Sequence, residues 1–482
     1  MQPLLTSEEM AEADAYTIKK LGVPGIELME RAAGAYCDFL KARFPVGAKV
    51  AVAVGLGNNG GDGLAIARLL IESGYSVTTW LFFPDGKYRG DALTNYDRLV
   101  AMGGEIKPAA HDFPGEEAVA VIVDAVFGTG LNRPVEGRLA ELILQINRHP
   151  ARVMSVDLPS GLNGSQGRLL GACVQADWTV TFQNMKLAHG ITPASAICGD
   201  VFVCPIGIEK PKGATHNAHL IEANDFRRPS RGVFGHKGSY GALAVIGGFA
   251  GMEGAANLAA MAALRFGVGK VRVYTNNRNR FRHDSVMVAN INHYQPGYHA
   301  LVIGPGLGRG DEAQAHLRRL NFEKDRILWD ADGLLHLYRR PNDSRGREWV
   351  MTPHPGEAAM LLDCLSREIQ LDRLAAVAEL RNRYSGGWIL LKGNRTLISS
   401  PEGHLYVCKP GGAALAVAGS GDVLSGMIGS LLAQGEPARD AVLIACLRHG
   451  MAGDRWSMRH PDYSMLAEDI IDDLKVSVPE QD

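Results

Sequence analysis

Apolar residues in this chain fall into short continuous runs, and the stretches between them repeat with a helical period. "KVAVAVG" (49–55), "SVTTWLFF" (76–83), "VAVIVDAVFG" (119–128), "RVMSVDLPSG" (152–161) and "ADWTVTF" (176–182) are apolar on both faces, which predicts buried strands. Amphipathic segments such as "GLAIARLLIESG" and "GRLAELILQINRH" lie between them. Buried strands alternating with helices predict parallel pairing through right-handed crossovers, hence a three-layer α/β/α sandwich.

The rhythm breaks over 209–240, which is polar, glycine-rich and punctuated by proline, and then resumes. A second series follows: "GALAVIGG" (241–248), "KVRVYT" (270–275), "ALVIGPGLG" (300–308), "RILWDADGL" (326–334), "WVMTPHPGE" (349–357) and "WILLKG" (388–393). "TLISSPEGHLYVC" predicts a β-hairpin about the turn residues "SPEG". The expected division is a domain over 1–215, a linker over 216–228 and a second domain over 229–482.

Length supports that division, because 482 residues exceed what one hydrophobic core organises. A formal net charge of −2 gives no electrostatic reason to expect nucleic acid or an acidic membrane as partner. Seven scattered cysteines without a CxxC pair fit reduced thiols better than a disulfide framework. Neither a signal peptide nor 18 consecutive apolar residues is present, so a cytoplasmic protein is expected.

Candidate chemistry in the first half starts at "GLGNNGGDG" (55–63), which follows one strand and opens a helix. Bare backbone at a strand's carboxyl end can approach phosphate closely, and amides at a helix start favour anions. Although "GLGNNG" (55–60) carries the GxGxxG spacing, it runs into further glycines and no acidic ribose ligand follows about 20 residues on, so a plain dinucleotide cofactor site is not predicted. Asp124, Asp157 and Ser160 stand at further strand ends, and "FQNMKLAHG" supplies Lys186. A lone strand-end aspartate commonly caps a helix; two facing one glycine-rich loop suggest a site. The oxygen groups Asn59, Asp124 and Ser160 suit a hard cation.

In the second half "AGSGDVLSG" (418–426) presents a glycine-rich helix start with Asp422 placed to accept a hydroxyl proton. "KGNRT" (392–396), "TPHPGE" (352–357) and "IGPGLG" (303–308) end other strands. There is neither a GxxxxGK[ST] P-loop nor a GxSxG elbow.

The motifs "GVPGIELMERAA", "GLGNNGGDGLAIAR", "DAVFGTGLNRP" and "VDLPSG" closely resemble the NAD(P)H-hydrate epimerase domain. That resemblance implies a Rossmann-like fold in which Asn58, Asn59, Gly60, Gly61, Asp62 and Gly128, Thr129, Gly130, Leu131, Asn132, Arg133, Pro134 contact the hydrate. It implies a potassium ion on Asn59, Asp124 and Ser160, and Asp157 as the acid/base. Lys186 matches a family lysine. "GMEGAANLAAMAALRFGVG", "GPGLG", "DADGL", "TPHPGE", "KGNRT" and "GSGDVLSG" resemble the ribokinase-like ADP/ATP-dependent NAD(P)H-hydrate dehydratases. By position, Ala255, Gly306, His354 and Asp422 would line the hydrate pocket. Lys392, Gly393, Asn394, Arg395, Thr396 and Gly421 would bind the nucleotide, ADP or ATP, with Mg²⁺. "KPGGAALAVAGSGD" departs from the family's Asn-Pro-Gly-Met stretch.

The implied substrates are hydrated NADH and NADPH (NADHX and NADPHX), handled by a homo-oligomer. Two alternatives are a ribokinase-type small-molecule kinase in the second half and a non-catalytic binding module in the first.

Overall fold

The computed structural model describes the chain except for residues 111–112, 115–118, 212, 214–215, 226–230, 278–282, 321–325, 342–347 and 477–482. The expected linker 216–228 lies in part outside the described residues. The chain divides into two compact units: Pro3–Ala218, and His219–Asp482 together with Met1–Gln2.

The N-terminal unit is built on a seven-stranded parallel sheet. In spatial order its strands are Glu105–Pro108, Ser76–Leu81, Lys49–Val54, Val121–Ala125, Arg152–Val156, Trp178–Phe182 and Asp200–Cys204. The chain enters at Lys49–Val54, winds outward one way, then crosses to Val121–Ala125 and winds the other way. Ligands in open α/β sheets bind at such a reversal, outside the carboxyl ends of the two strands. Those ends carry the glycine-rich stretch and Asp124. The central strands are buried on one face by helices Gly25–Lys41 and Asn58–Glu72 and on the other by helix Gly137–Arg148.

The C-terminal unit repeats the plan. Its parallel strands run Met287–Asn290, Lys270–Thr275, Ala242–Ile246, Ala300–Ile303, Arg326–Trp329, Glu348–Met351 and Trp388–Leu391. The predicted hairpin follows as the antiparallel pair Leu397–Ser399 and Leu405–Cys408. Helix Ser420–Gln434 is apolar on nearly every side and buried along most of its length, so it packs as an internal element.

Among the strands that escape the sequence pattern are Glu105–Pro108, Asp200–Cys204 and Met287–Asn290. Each lies at a sheet edge and is half-exposed, so it carries no unbroken apolar run.

Candidate functional sites

In the N-terminal unit a cavity of about 770 Å³ opens at the switch point. "NNGGDG" is the first turn of helix Asn58–Glu72 rather than a loop. Its glycines have two different uses. A Cβ at Gly60 would lie 1.9 Å from the Gly55 carbonyl oxygen, and one at Gly55 would lie 2.0 Å from that of Val126. These glycines let helix and strands close up. Gly57, with nothing within 4 Å of a Cβ, faces the cavity instead. The amides of Asn58 and Asn59 donate to no protein acceptor among the described residues and so are available to an anion.

Asn58, Asn59, Asp62, Gly128 to Arg133, Asp157 and Lys186 all line this cavity. Gly60 and Gly61 are buried behind its wall, and Pro134 is exposed outside it. Asp124 and Ser160 are fully buried beneath it. Asp124 accepts from the Ser160 amide and the Ser155 hydroxyl, both at 2.8 Å, and from the Ser160 hydroxyl at 2.5 Å. Asn59 donates to the Phe127 carbonyl at 3.0 Å, while the Phe127 amide donates to Ser160 Oγ at 2.8 Å. Asn59, Asp124 and Ser160 therefore meet around one peptide, with oxygen as the available ligand atom on each. Burial raises the Asp124 carboxyl and these hydrogen bonds draw it back.

Asp157 holds a left-handed backbone (φ 64°), a conformation costing about 1–3 kcal/mol for a non-glycine residue. Its Oδ1 accepts from Lys186 Nζ, from the Thr181 hydroxyl at 2.9 Å and from the Phe182 amide at 3.4 Å. His189 Nδ1 accepts from the Lys186 amide, so Nε2 carries the proton and donates to the Asp157 carbonyl at 3.0 Å. Burial holds His189 neutral, taking it down to about 3. Burial pushes Asp157 up, but the Lys186 ammonium and the Thr181 hydroxyl outweigh it and leave the carboxyl below its usual range. It is an ionised acceptor fixed in one orientation.

In the C-terminal unit the sites again gather at strand ends. Lys392 Nζ lies 2.7 Å from Asp330 Oδ1 and 3.7 Å from Glu357 Oε2, while the Ser425 hydroxyl donates to Asp330 Oδ2 at 2.6 Å. A Cβ on Gly421 would be 3.2 Å from that lysine nitrogen, which sets the start of helix Ser420–Gln434 against it. The Gly421 and Asp422 amides have no protein acceptor among the described residues. Burial, then Asp330, raise Asp422 to about 7 against the pull of Lys392. Burial also raises Glu357, whereas for Lys392 burial is outweighed by Asp330 and Glu357, so it stays charged.

His354 caps helix Pro355–Leu362, its Nδ1 accepting from the Gly356 and Glu357 amides at 3.0 and 3.3 Å, and its Nε2 lies 3.4 Å from Glu357 Oε1. Ala255 and Gly306 adjoin one another: a Cβ on Gly306 would sit 3.1 Å from that of Ala255. Gly393 and Asn394 are exposed at the strand end, and the Thr396 hydroxyl donates to the Gly393 carbonyl at 3.0 Å. The buried Arg373 guanidinium donates to the carbonyls of Leu391, Lys392, Asn394 and Arg395, so it holds this loop from behind.

Several functional groups were not singled out from sequence. Asp14 lines the N-terminal cavity from helix Ser7–Lys19, and His189 supports Asp157. Asp330, Ser425 and Arg373 organise the C-terminal site. "DADGL" was a visible signal for Asp330, whereas a helix reading "SEEMAEADAYTIK" resembles any acidic surface helix.

Each unit is thus an α/β fold with free helix-start amides and a perturbed carboxyl at its strand ends, an arrangement suited to phosphorylated or nucleotide-like compounds. Comparison with known proteins narrows the class. Residues 25–188 match the family described as YjeF-related protein N-terminus, and residues 243–475 match NAD(P)H-hydrate dehydratase. The chain is 35% identical over 495 residues to the bifunctional NAD(P)H-hydrate repair enzyme Nnr of Coxiella burnetii, covering 99% of this chain and 100% of that one. To the Nnr of Escherichia coli it is 35% identical over 475 residues, covering 94% and 90%. A solved ADP/ATP-dependent NAD(P)H-hydrate dehydratase from Bacillus subtilis, co-crystallised with ATP and Mg²⁺, is 28% identical with a TM-score of 0.47, covering 52% of this chain and 93% of that one. The chain belongs to the family of bifunctional NAD(P)H-hydrate repair enzymes.

Proposed function

We propose that the N-terminal cavity interconverts the R and S epimers of hydrated NADH and NADPH, and that the C-terminal site returns the S epimer to NAD(P)H at the expense of ADP or ATP. The observation that carries this reading is Asp422, a carboxyl raised to about 7 beside free helix-start amides and a charged lysine. A base in that range is half-ionised near neutrality and can take the proton of the ring hydroxyl as its oxygen attacks the terminal phosphorus. The amides of Gly421 and Asp422 face the charge that develops on the phosphoryl oxygens. The leaving nucleotide, one phosphate shorter, departs. Phosphate then leaves the ring together with one ring proton, which restores the dihydropyridine.

Lys392 to Thr396, with Arg373 behind them, fit the nucleotide phosphates. Carboxylate oxygens of Glu357 and Asp422 are the donor type that Mg²⁺ takes alongside phosphate, and the ion would supply charge neutralisation there. In the N-terminal cavity Asp157 accepts the proton of the hydroxyl on the carbon to be inverted while Lys186 fixes its orientation. The oxygens of Asn59, Asp124 and Ser160 suit potassium, which would supply positive charge next to the substrate's phosphates. None of the seven cysteines is joined in a disulfide, in keeping with a reducing compartment such as the cytoplasm.

The test incubates the full chain with mixed R and S hydrates, with and without ADP and Mg²⁺, and follows the reduced-nicotinamide absorbance. Full recovery with nucleotide and none without is the expected result. Recovery indifferent to nucleotide would overturn the dehydration mechanism, and a phosphorylated product that persists would favour a small-molecule kinase.

A further inference from the structure

The N-terminal cavity holds more carboxyl groups than its assigned base requires. Asp14 arrives on helix Ser7–Lys19, Asp62 on helix Asn58–Glu72 and Asp157 on the turn after strand Arg152–Val156. Only Asp157 is tied down. Its Oδ1 is occupied by an ammonium, a hydroxyl and an amide, all donors, so this oxygen has no place for a proton of its own. Asp14 and Asp62, by contrast, make no hydrogen bond or ion pair among the described residues, although both border the same cavity.

Inversion at the hydroxyl-bearing carbon takes one proton off the hydroxyl and needs one delivered where the ring bond opens. When the ring closes on the other face, both protons return. An ionised carboxylate locked by three donors performs the first half and is poorly suited to the second. We propose that Asp14 is the proton donor of the epimerisation, working opposite in role to Asp157. The proposal rests on the epimerase reading of this cavity.

The electrostatics support this division. Burial raises Asp14 to about 6, with Lys186 opposing and Asp157 adding to the rise, whereas Asp157 is depressed. Two carboxyls whose environments push them apart divide into acid and base. Burial, then Asp157 and Asp14, raise Asp62 well above the usual carboxylate range, and it sits in the helix start that presents the free Asn58 and Asn59 amides. The other charged groups facing the cavity are Asp91 and Arg133, together with the Lys186 ammonium.

The experiment measures R-to-S conversion by chromatography with the full chain and no nucleotide, so that the C-terminal site is silent. In the wild type, kcat/KM is expected to fall as pH rises through about 6, since the protonated form of Asp14 is the active one. Asp14→Asn is expected to lower kcat at least 100-fold with KM within threefold, and to abolish that descent. Asp14→Glu is expected to restore at least a tenth of the wild-type rate, with the descent displaced.

Wild-type kcat/KM flat from pH 5.5 to 8 would overturn the proposal without any variant. So would an Asp14→Asn protein that keeps kcat within threefold or shows the same descent. If Asp14→Asn fails to fold, Asp14→Glu decides: an undisplaced descent rejects the role of Asp14. A wild type that converts neither epimer would instead reject the epimerase reading itself.

Discussion

Lys392 donates to Asp330 across 2.7 Å, tying the end of strand Trp388–Leu391 to the end of a strand two places away in the same sheet. Asp330 is almost wholly buried, and its second oxygen accepts from Ser425 on the helix that carries Asp422. One carboxylate thereby fixes both Lys392 and the helix that carries Asp422. Removing one partner of such a pair leaves a buried charge uncompensated, which costs about 3–5 kcal/mol.

Lys392→Met is therefore expected to lower stability by that order, read by urea unfolding through the fluorescence of Trp329, adjacent to Asp330. Adding Asp330→Asn should recover part of the loss without recovering nucleotide-dependent activity. A single Lys392→Met variant as stable as wild type would show that the pair is not coupled.

Asp422→Asn should reduce nucleotide-dependent recovery of NAD(P)H by about 100- to 10,000-fold, the usual worth of a positioned base. R-to-S conversion should be unchanged. In the wild type the dehydration kcat/KM should rise with pH through about 7, because the ionised carboxylate is the active form. Stability should move the other way. The unfolded aspartate ionises near 3.9 and the folded one at about 7, so the native state binds the extra proton and loses stability as pH climbs through that interval. The Tm of Asp422→Asn should accordingly exceed the wild type's at pH 8, with the gap closing below pH 4.

Gly60→Ala and Gly57→Ala separate the two uses of glycine in "GLGNNGGDG". At Gly60 the added carbon meets a backbone oxygen at 1.9 Å, which no rotamer change relieves, so the protein should lose several kcal/mol or fail to accumulate. At Gly57 the carbon meets nothing within 4 Å. Stability should hold within about 1 kcal/mol, while KM for the hydrate rises. Thermal unfolding and epimerisation kinetics on the pair would reveal any reversal of that order.

Ser160→Ala should diminish epimerisation and its dependence on potassium together. The hydroxyl bridges Asp124 and the Phe127 peptide, so its loss frees both from their alignment with Asn59. Replacing potassium by tetramethylammonium should depress wild-type epimerisation at least tenfold and leave nucleotide-dependent dehydration of pure S hydrate unaffected. Equal rates in the two salts would remove the ion from the N-terminal site.

How much of this was legible beforehand follows from burial. Central parallel strands such as Lys49–Val54 and Ala300–Ile303 announce themselves because both faces are covered. Edge strands do not, since solvent admits polar residues, as in "EIKP". Asp157, Lys392 and Asp422 stand in recognisable motifs. Asp14 does not, because its significance comes from a cavity assembled by segments more than 100 residues apart. The helical start at Asn58 was hidden for a related reason: glycines that read as a loop serve as contact surfaces between backbones.

With Lys392 to Thr396 taking the nucleotide as proposed, Arg373 would govern how the guest meets that loop. Four carbonyls gripped from beneath by a single planar cation, at a bend where Arg395 holds a φ of 55°, leave the segment little freedom before any guest arrives. Capture then requires no prior ordering of the receiving backbone, so arrest of the incoming phosphates becomes a matter of encounter and dehydration. A chain guarding against slow chemical damage meets its target rarely, and a receptor that stands ready wastes few of those meetings.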